Sequence, residues 1–327
     1  MTRELTAPAH SGLPLVTIVT PTFNQAAFLE RTLQSVLTQD YPNIETIVVA
    51  APSCDGTAAI LARYADRVRV ISEPDNGQAD AINKGLRLAR GEIVGWLNSD
   101  DVYLPGAISA IVRFFQARPD ARFAYGDVLA IDARDRLYGI RAHVRPTNYT
   151  DLLTHGDFIV QPAAFWRADL WREVGELNVN LRYAMDYDYW IRASRHTALH
   201  YIPVCLAAER FHGAAKTAKG SLARMHEIER LIRDYGGHGL PSGFRAQAAA
   251  QLTVHGIRRL IHLDSAGWAD VVAAQAMHPE WGVYLRYLAA MLLAGERTVV
   301  RFWLLINLLR QRRKLGTVLP PEFMQDI

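Results

Sequence analysis

Two adjacent carboxylates, Asp100 and Asp101, close the tetrad Asn98-Ser99-Asp100-Asp101, which directly follows the apolar run Ile93-Val94-Gly95-Trp96-Leu97. Paired acids at a strand end suit a hard divalent cation. Oxygen ligands favour Mg²⁺ or Mn²⁺, and Mg²⁺ takes only one or two protein carboxylates when phosphates and waters complete its shell. The natural inference is a cation shared with a bound diphosphate. The same four residues also read as a polar turn, with Ser99 or an Asp capping the helix that follows Pro105. The tetrad alone leaves both open.

The elements around the tetrad decide what it can reach. From Leu15 to about Leu97 β-rich runs alternate with amphipathic helical ones, the signature of a parallel sheet with crossover helices. Val16 to Thr20, Ile44 to Ala50, Val68 to Ser72 and Ile93 to Leu97 are the expected strands. Helical spacing of Leu29, Leu33, Val36 and Leu37, and the stretches Thr57 to Tyr64 and Gln78 to Ala89, supply the helices between them. Three such crossovers predict a right-handed, doubly wound sheet. Ligands of open sheets gather at the carboxyl ends of the strands, so the loops starting at Pro21, Ala51, Glu73 and Asn98 are expected to share one crevice. A helix with Ile108, Ile111, Val112 and Phe115 on one face, a strand near Phe123 to Ile131, and a helix over Met185 to Ala193 with Asp188 spaced to pair with Arg192 on its surface complete the legible part. Beyond about Gly213 the patterning becomes almost entirely helical, which divides the chain into a tail (1–14), an α/β domain (15–215) and a C-terminal helical region (216–327).

Composition narrows the classes. The chain has 327 residues, half of them hydrophobic, enough for one large domain and an appendage. A formal charge of +3 without a long basic tract in the first two-thirds disfavours nucleic acid as a partner. Two cysteines, Cys54 and Cys205, give no disulfide framework and fit a reducing cytoplasm. No stretch reaches the ~18 to 20 apolar residues of a membrane span, so a soluble or peripheral protein is expected.

Five segments in order, Val16-Thr17-Ile18-Val19-Thr20-Pro21-Thr22-Phe23-Asn24, Asp55-Gly56-Thr57, Asp75-Asn76-Gly77-Gln78, Asn98-Ser99-Asp100-Asp101 and Asp186-Tyr187-Asp188-Tyr189-Trp190, resemble the family 2 glycosyltransferases over roughly Leu15 to Lys216. The resemblance implies a GT-A fold of the α/β class, a nucleotide-diphosphate sugar donor, most simply a UDP-sugar, and Mn²⁺ or Mg²⁺ as cofactor. It implies donor contacts at Thr20, Pro21, Asn24, Asp55, Asn76, Gln78 and Asp80, with Asp55 on the base of the nucleotide. Asp100 falls nearer the ribose and Asp101 on the metal. Lys84 reads as a solvated helix residue. Asp186 corresponds to the catalytic base, Gln161 and Trp166 to the acceptor side, Arg210 and Lys216 to the diphosphate, and His212 to the metal or phosphates. Asn98 and Met185 depart from the family pattern, which more often has acids there.

Several of these residues have plainer readings. Asp55 and Asp186 can each start a helix, Asn76-Gly77 makes a good turn, and Trp166 can be core. The reaction that the resemblance implies is inverting displacement of a nucleoside diphosphate by an acceptor hydroxyl, with Asp186 as base and a cation assisting the leaving group. A glycan or lipid-linked acceptor fits such a transferase. A sugar nucleotidyltransferase would want a glycine-rich, basic loop after the first strand, and Pro21-Thr22-Phe23-Asn24-Gln25 offers neither. A non-catalytic sugar-nucleotide-binding relative stays open through Asn98 and Met185. Val299 to Leu309, followed by Arg310, Arg312, Arg313 and Lys314, suits either an interfacial helix on the anionic inner face of the cell membrane or a helix packed on its neighbours.

Overall fold

A computed structural model describes residues 12–141, 144–216 and 221–245, with isolated positions as far as Ala274. Among them two compact units are separable. The first takes the residues up to Asn148 together with Phe158–Phe211, and the second takes Tyr149–Asp157 and the residues from His212 on. The segment Val299 to Lys314 lies outside the described residues.

The first unit is built on one nine-stranded sheet. Its first half is the expected wound part: β1 (Val16–Thr22), β2 (Ile44–Ala50), β3 (Arg69–Ser72) and β4 (Ile93–Trp96) are parallel in the order β3-β2-β1-β4. The crossover helices are α1 (Leu29–Leu37), α2 (Thr57–Arg63) and α3 (Gln78–Arg87). Side chains of a strand alternate between faces, and β2 shows which helix covers which. Val48 and Ala50 pack with Leu29 and Leu33 of α1 and Leu61 of α2. Val49 points the other way, to α3, where a Cβ on Gly85 would collide with Val19 and come within 3.2 Å of Val49 Cγ2. Glycine there lets α3 lie close on β1 and β2. The direction of winding reverses between β1 and β4, the place where an open sheet leaves a crevice.

The second half of the sheet is mixed. It comprises β5 (Val102–Tyr103), β6 (Phe123–Asp132), β7 (Leu137–Ile140), β8 (Ala164–Arg167) and β9 (Leu199–Phe211). Strand β8 runs antiparallel between β4 and β6, β6 and β9 are parallel, and β5 and β7 are antiparallel edge additions. The remaining helices of this unit are α4 (Ala107–Ala117), α6 (Ala168–Val174) and α7 (Met185–Ala193), and Gln161–Ala163 forms a single 3-10 turn before β8. Trp96 of β4 pairs in register with Val19 and so lies on the α3 face, where Trp190 of α7 stacks on it at 5.6 Å between centroids and 11° between planes. Trp166, Phe123 and Tyr189 complete this aromatic layer. Trp166, expected on the acceptor side, is therefore core: it is fully buried, with its ring edge against Trp96.

In the second unit, α5 (Tyr149–Thr154) and α8 (Ser221–Asp234) are described. Its buried residues include Leu152, Met225, Ile228, Leu231 and Phe244. Gly243 donates its N–H to the His155 carbonyl at 2.7 Å, and Gly156, at φ +127°, turns the chain beside Phe244.

Candidate functional site

The carboxyl ends of β1, β2, β3 and β4 carry four loops, the first two of which are stitched to one another. After β1, Asn24 adopts φ 51°, a left-handed conformation that Asn tolerates better than most residues. Its side-chain Oδ1 accepts the Cys54 N–H at 2.9 Å, and its own N–H donates to Ser53 Oγ at 3.0 Å. Asp55 then fastens the second loop to the first. One oxygen accepts from the Ala26 N–H at 2.9 Å, and the other accepts from the Thr57 N–H at 3.1 Å and its hydroxyl at 2.6 Å. Its slight burial favours the neutral acid, but these three hydrogen bonds outweigh that and hold the carboxyl below its ordinary range. The helix-start role and an accessible position coexist here, since Asp55 is exposed.

Thr20 and Pro21, expected at the donor, are part of strand β1. Both are buried in the sheet, Thr20 completely, because the strand continues two residues further than the sequence pattern indicates and carries the loop outward with it. Beyond them Phe23 is 59% exposed. Its ring stands in water at a strand end, between buried Thr22 and left-handed Asn24, and leaves a flat apolar face open to solvent that sequence reasoning passed over. Its signal was the position, an aromatic directly after a Pro-Thr strand end.

The third loop, Glu73 to Gly77, is self-contained. Asp75 accepts from the Gly77 N–H and Asp80 from the Asn76 N–H, each at 2.9 Å. Lys84, expected as a solvated residue, is folded back onto this loop: it reaches the Pro74 carbonyl at 2.6 Å, Glu73 at 3.2 Å and Asp80 at 3.3 Å. The Asn76 N–H first, and then Lys84, draw the Asp80 carboxyl below its usual range. Asp80 thus shapes the loop that presents Asn76 and Gln78.

At the tetrad, Asp100 is half-buried whereas Asp101 is only 4% exposed. Asp101 Oδ1 accepts the Arg210 N–H at 2.8 Å, Oδ2 accepts from Asn98 Nδ2 at 3.3 Å, and its backbone carbonyl accepts the Thr32 hydroxyl at 2.7 Å. Burial, with Asp100 and Glu209 nearby, pushes its carboxyl well above the ordinary range. Asp101, expected on the metal, is the anchor of the turn, while Asp100 is its more accessible acid. Arg210, expected at the diphosphate, is likewise internal. With its side chain 1% exposed, its Nε donates to the Asp100 carbonyl at 2.7 Å and its terminal nitrogen bonds the Asp132 carbonyl at 3.0 Å and the Asp135 carboxylate at 2.6 Å. The ring of Phe28 lies 5.0 Å from the guanidinium carbon. The sequence pattern could not separate a phosphate-facing arginine from a buried one.

Gln161, also expected on the acceptor side, is buried beneath the tetrad. Its Nε2 donates to the Trp96 carbonyl at 2.7 Å, and its Oε1 accepts from Asn98 at 2.8 Å. Asp186 is half-buried at the start of α7 and accepts the Tyr187 N–H at 2.8 Å. It lies one turn before Trp190 on the same helix face, so the Trp96–Trp190 stack ties it to the strand that leads into the tetrad. The loop entering α7 is held by Asn83, which exchanges two bonds of 2.9 Å with the Leu177 backbone. Asp188 pairs with Arg192 at 2.9 Å as expected, but it is buried and does not lie on the helix surface. His212 and Lys216 belong to the second unit, where the His212 carbonyl accepts the Ala215 N–H at 3.0 Å. No group of three or more His, Cys, Asp or Glu able to hold a metal occurs among the described residues.

The family model of glycosyl transferase family 2 matches residues 17–170, which contain every loop just described except that of Asp186. The chain belongs to that family. It is 28% identical over 229 residues to an uncharacterised glycosyltransferase of Rickettsia prowazekii, covering 67% of this chain and 70% of that one. Other rickettsial relatives are longer, and the chain spans 31% and 38% of two of them. Among solved structures, it is similar to S. aureus TarS 1-349 in complex with UDP-GlcNAc, at TM-score 0.57 and 15% identity over 88% of this chain and 91% of that one. It is also similar to the mannosyltransferase PcManGT of Pyrobaculum calidifontis in complex with GDP-Man and Mn²⁺, at TM-score 0.55 and 20% identity over 90% and 79%. These likenesses give the chain the GT-A fold.

Proposed function

We propose that this glycosyltransferase moves a sugar from a nucleoside-diphosphate sugar to an acceptor hydroxyl with inversion, in the synthesis of a glycan or a lipid-linked saccharide. The reading rests on one observation above all: the Asp55 loop and the Asp100-Asp101 turn stand at the same carboxyl edge of the sheet, and Asp186 is fastened through Trp190 to the strand feeding that edge.

The chain's own residues divide the work. Phe23 offers its exposed ring to the nucleobase, for which stacking on an aromatic contributes about 1–3 kcal/mol. Asp55, charged at neutral pH and held in place by Ala26 and Thr57, accepts from the N–H of that base. A UDP-sugar is the simplest donor, as in the TarS complex, and GDP-mannose in the PcManGT complex is the other chemistry to test. Asp186 takes the proton of the acceptor hydroxyl as its oxygen bonds to the anomeric carbon and the bond to the diphosphate breaks; no covalent sugar-enzyme species is needed.

The residues fit a divalent cation shared with the diphosphate. Asp100 would hold it, because both oxygens of Asp101 are hydrogen-bonded inside the turn. Bound there, Mn²⁺ or Mg²⁺ would neutralise charge on the leaving diphosphate.

A panel of nucleoside-diphosphate sugars, read by nucleoside diphosphate release and by the anomeric configuration of the product, tests the proposal. Release with Mn²⁺, lost in chelator and in Asp100→Ala, is the expected result. A retained configuration would remove Asp186 as base, and no binding of any nucleoside diphosphate would defeat the donor assignment.

A further inference from the structure

Three side-chain amides form a directed chain beneath the tetrad, and its direction is fixed at one end. The Trp96 carbonyl can only accept, so the Gln161 NH₂ must face it, at 2.7 Å. Gln161 Oε1 then faces Asn98 and can only accept, which turns the Asn98 NH₂ toward it at 2.8 Å. The second Asn98 hydrogen points to Asp101 Oδ2 at 3.3 Å. Asn98 Oδ1 is left facing Gln78, whose Nε2 donates to it at 2.7 Å. Gln78 is the first residue of α3, at the mouth of the crevice, and Asp101 anchors the turn that carries Asp100.

We infer that Gln161 is a positioning residue: acting through Asn98, it sets the orientation of Gln78 and of the acidic turn for the nucleoside diphosphate. The inference rests on the donor assignment above. Gln161 touches neither Gln78 nor Asp101 in this chain of bonds, so its effect passes through one amide whose two hydrogens are both committed. An acid at position 98 would set a carboxylate against Gln161 Oε1 and Asp101 Oδ2, two acceptors. The amide is thus required by its neighbours, and the missing charge follows from the relay.

Calorimetry with uridine diphosphate and guanosine diphosphate, each with Mn²⁺ and with chelator, tests this on the full chain. Gln161→Met keeps the length of the side chain but strands the Trp96 carbonyl and an Asn98 hydrogen. It is expected to weaken Mn²⁺-dependent nucleotide binding about tenfold. Gln78→Ala alone weakens it less, and the double variant is expected to be no weaker than Gln161→Met, because the two glutamines act on one path. Asn98→Asp, despite adding a negative charge beside the cation, is expected to weaken binding as well.

Strictly additive losses, or tighter binding by Asn98→Asp, overturn the relay. So does a Gln161→Met protein that melts earlier in the absence of nucleotide yet binds with unchanged affinity. If the unmodified protein binds neither nucleotide, the donor assignment fails and the role of Gln161 fails with it; binding by the unmodified protein with unaltered variants removes the relay alone.

Discussion

The acidic turn after β4 and the start of α7 each bring an aspartate to the candidate site, yet they hold it in different ways. Asp101 is sunk into the protein, bonded through both carboxylate oxygens and its carbonyl, and braced by an arginine that is itself buried. Asp186 is half-buried and sits on a helix whose rigidity comes from apolar stacking behind it. A polar network is sensitive to the loss of any one partner, since each group left over stays buried and unpaired. Aromatic packing holds a helix in place while leaving its polar first turn able to change protonation. The first arrangement suits a fixed template for a diphosphate, and the second a residue that must accept a proton.

The contrast is broken most severely at Asp186. Asp186→Asn is expected to cut sugar transfer by about 10² to 10⁴ while nucleoside diphosphate affinity and thermal midpoint stay near those of the unmodified protein. Transfer within a few-fold of normal would remove it as the base. Asp188 is then a poor successor, since it is buried and paired with Arg192.

Arg210→Met tests the opposite side. Removing the guanidinium strands the Asp100 and Asp132 carbonyls and leaves Asp135 without this partner. A loss of about 1–3 kcal/mol of stability is expected, from carbonyls left without a donor rather than from the ion pair, since Asp135 is 43% exposed and keeps Arg31, measured by denaturant unfolding. Mn²⁺-dependent nucleotide binding should fall as well at temperatures where the variant is folded. A stability loss under 1 kcal/mol would show that the turn stands without its brace.

The smallest effect belongs to Asp80, which shapes a loop at the rim. Its carboxyl is held below the ordinary range by the Asn76 N–H and Lys84. Its contribution is therefore complete above the ordinary carboxylate pKa and lost as pH falls through the lowered one. Asp80→Asn is expected to cost about 1 kcal/mol near pH 7, and the difference should vanish under acid. A difference that persists at low pH would assign the cost to packing instead.

Legibility of the fold followed the kind of contact that makes each part. The β1 to β4 half emerged from the sequence nearly residue for residue, with β2 at its expected limits and α2 and α3 ending within two residues of theirs, because local periodicity and crossover lengths leave a parallel βα unit few alternatives. In the other half, β5, β7, β8 and β9 were not foreseen. Their pairing is long-range, as between Ala124 and His200 of β6 and β9 or Val94 and Trp166 of β4 and β8, and a short apolar run does not name its partner. A similar limit applied to Lys84, which looks solvated on its own helix and is bonded to a loop ten residues earlier.

The sequence by itself determined the wound sheet, the order of the motif-bearing loops along its carboxyl edge, and the residues from which a site could be chosen, all of which follow from residue type and spacing. Which way each side chain faces was decided by tertiary structure. Trp166 became core because two strands met beside it. Arg210 became a brace because Asp132 and Asp135 were brought to it by the β6–β7 hairpin, and Asp101 was turned inward by the Arg210 N–H. Polarity states that a group needs a partner, and only the assembled chain determines whether that partner is within the protein or in a ligand.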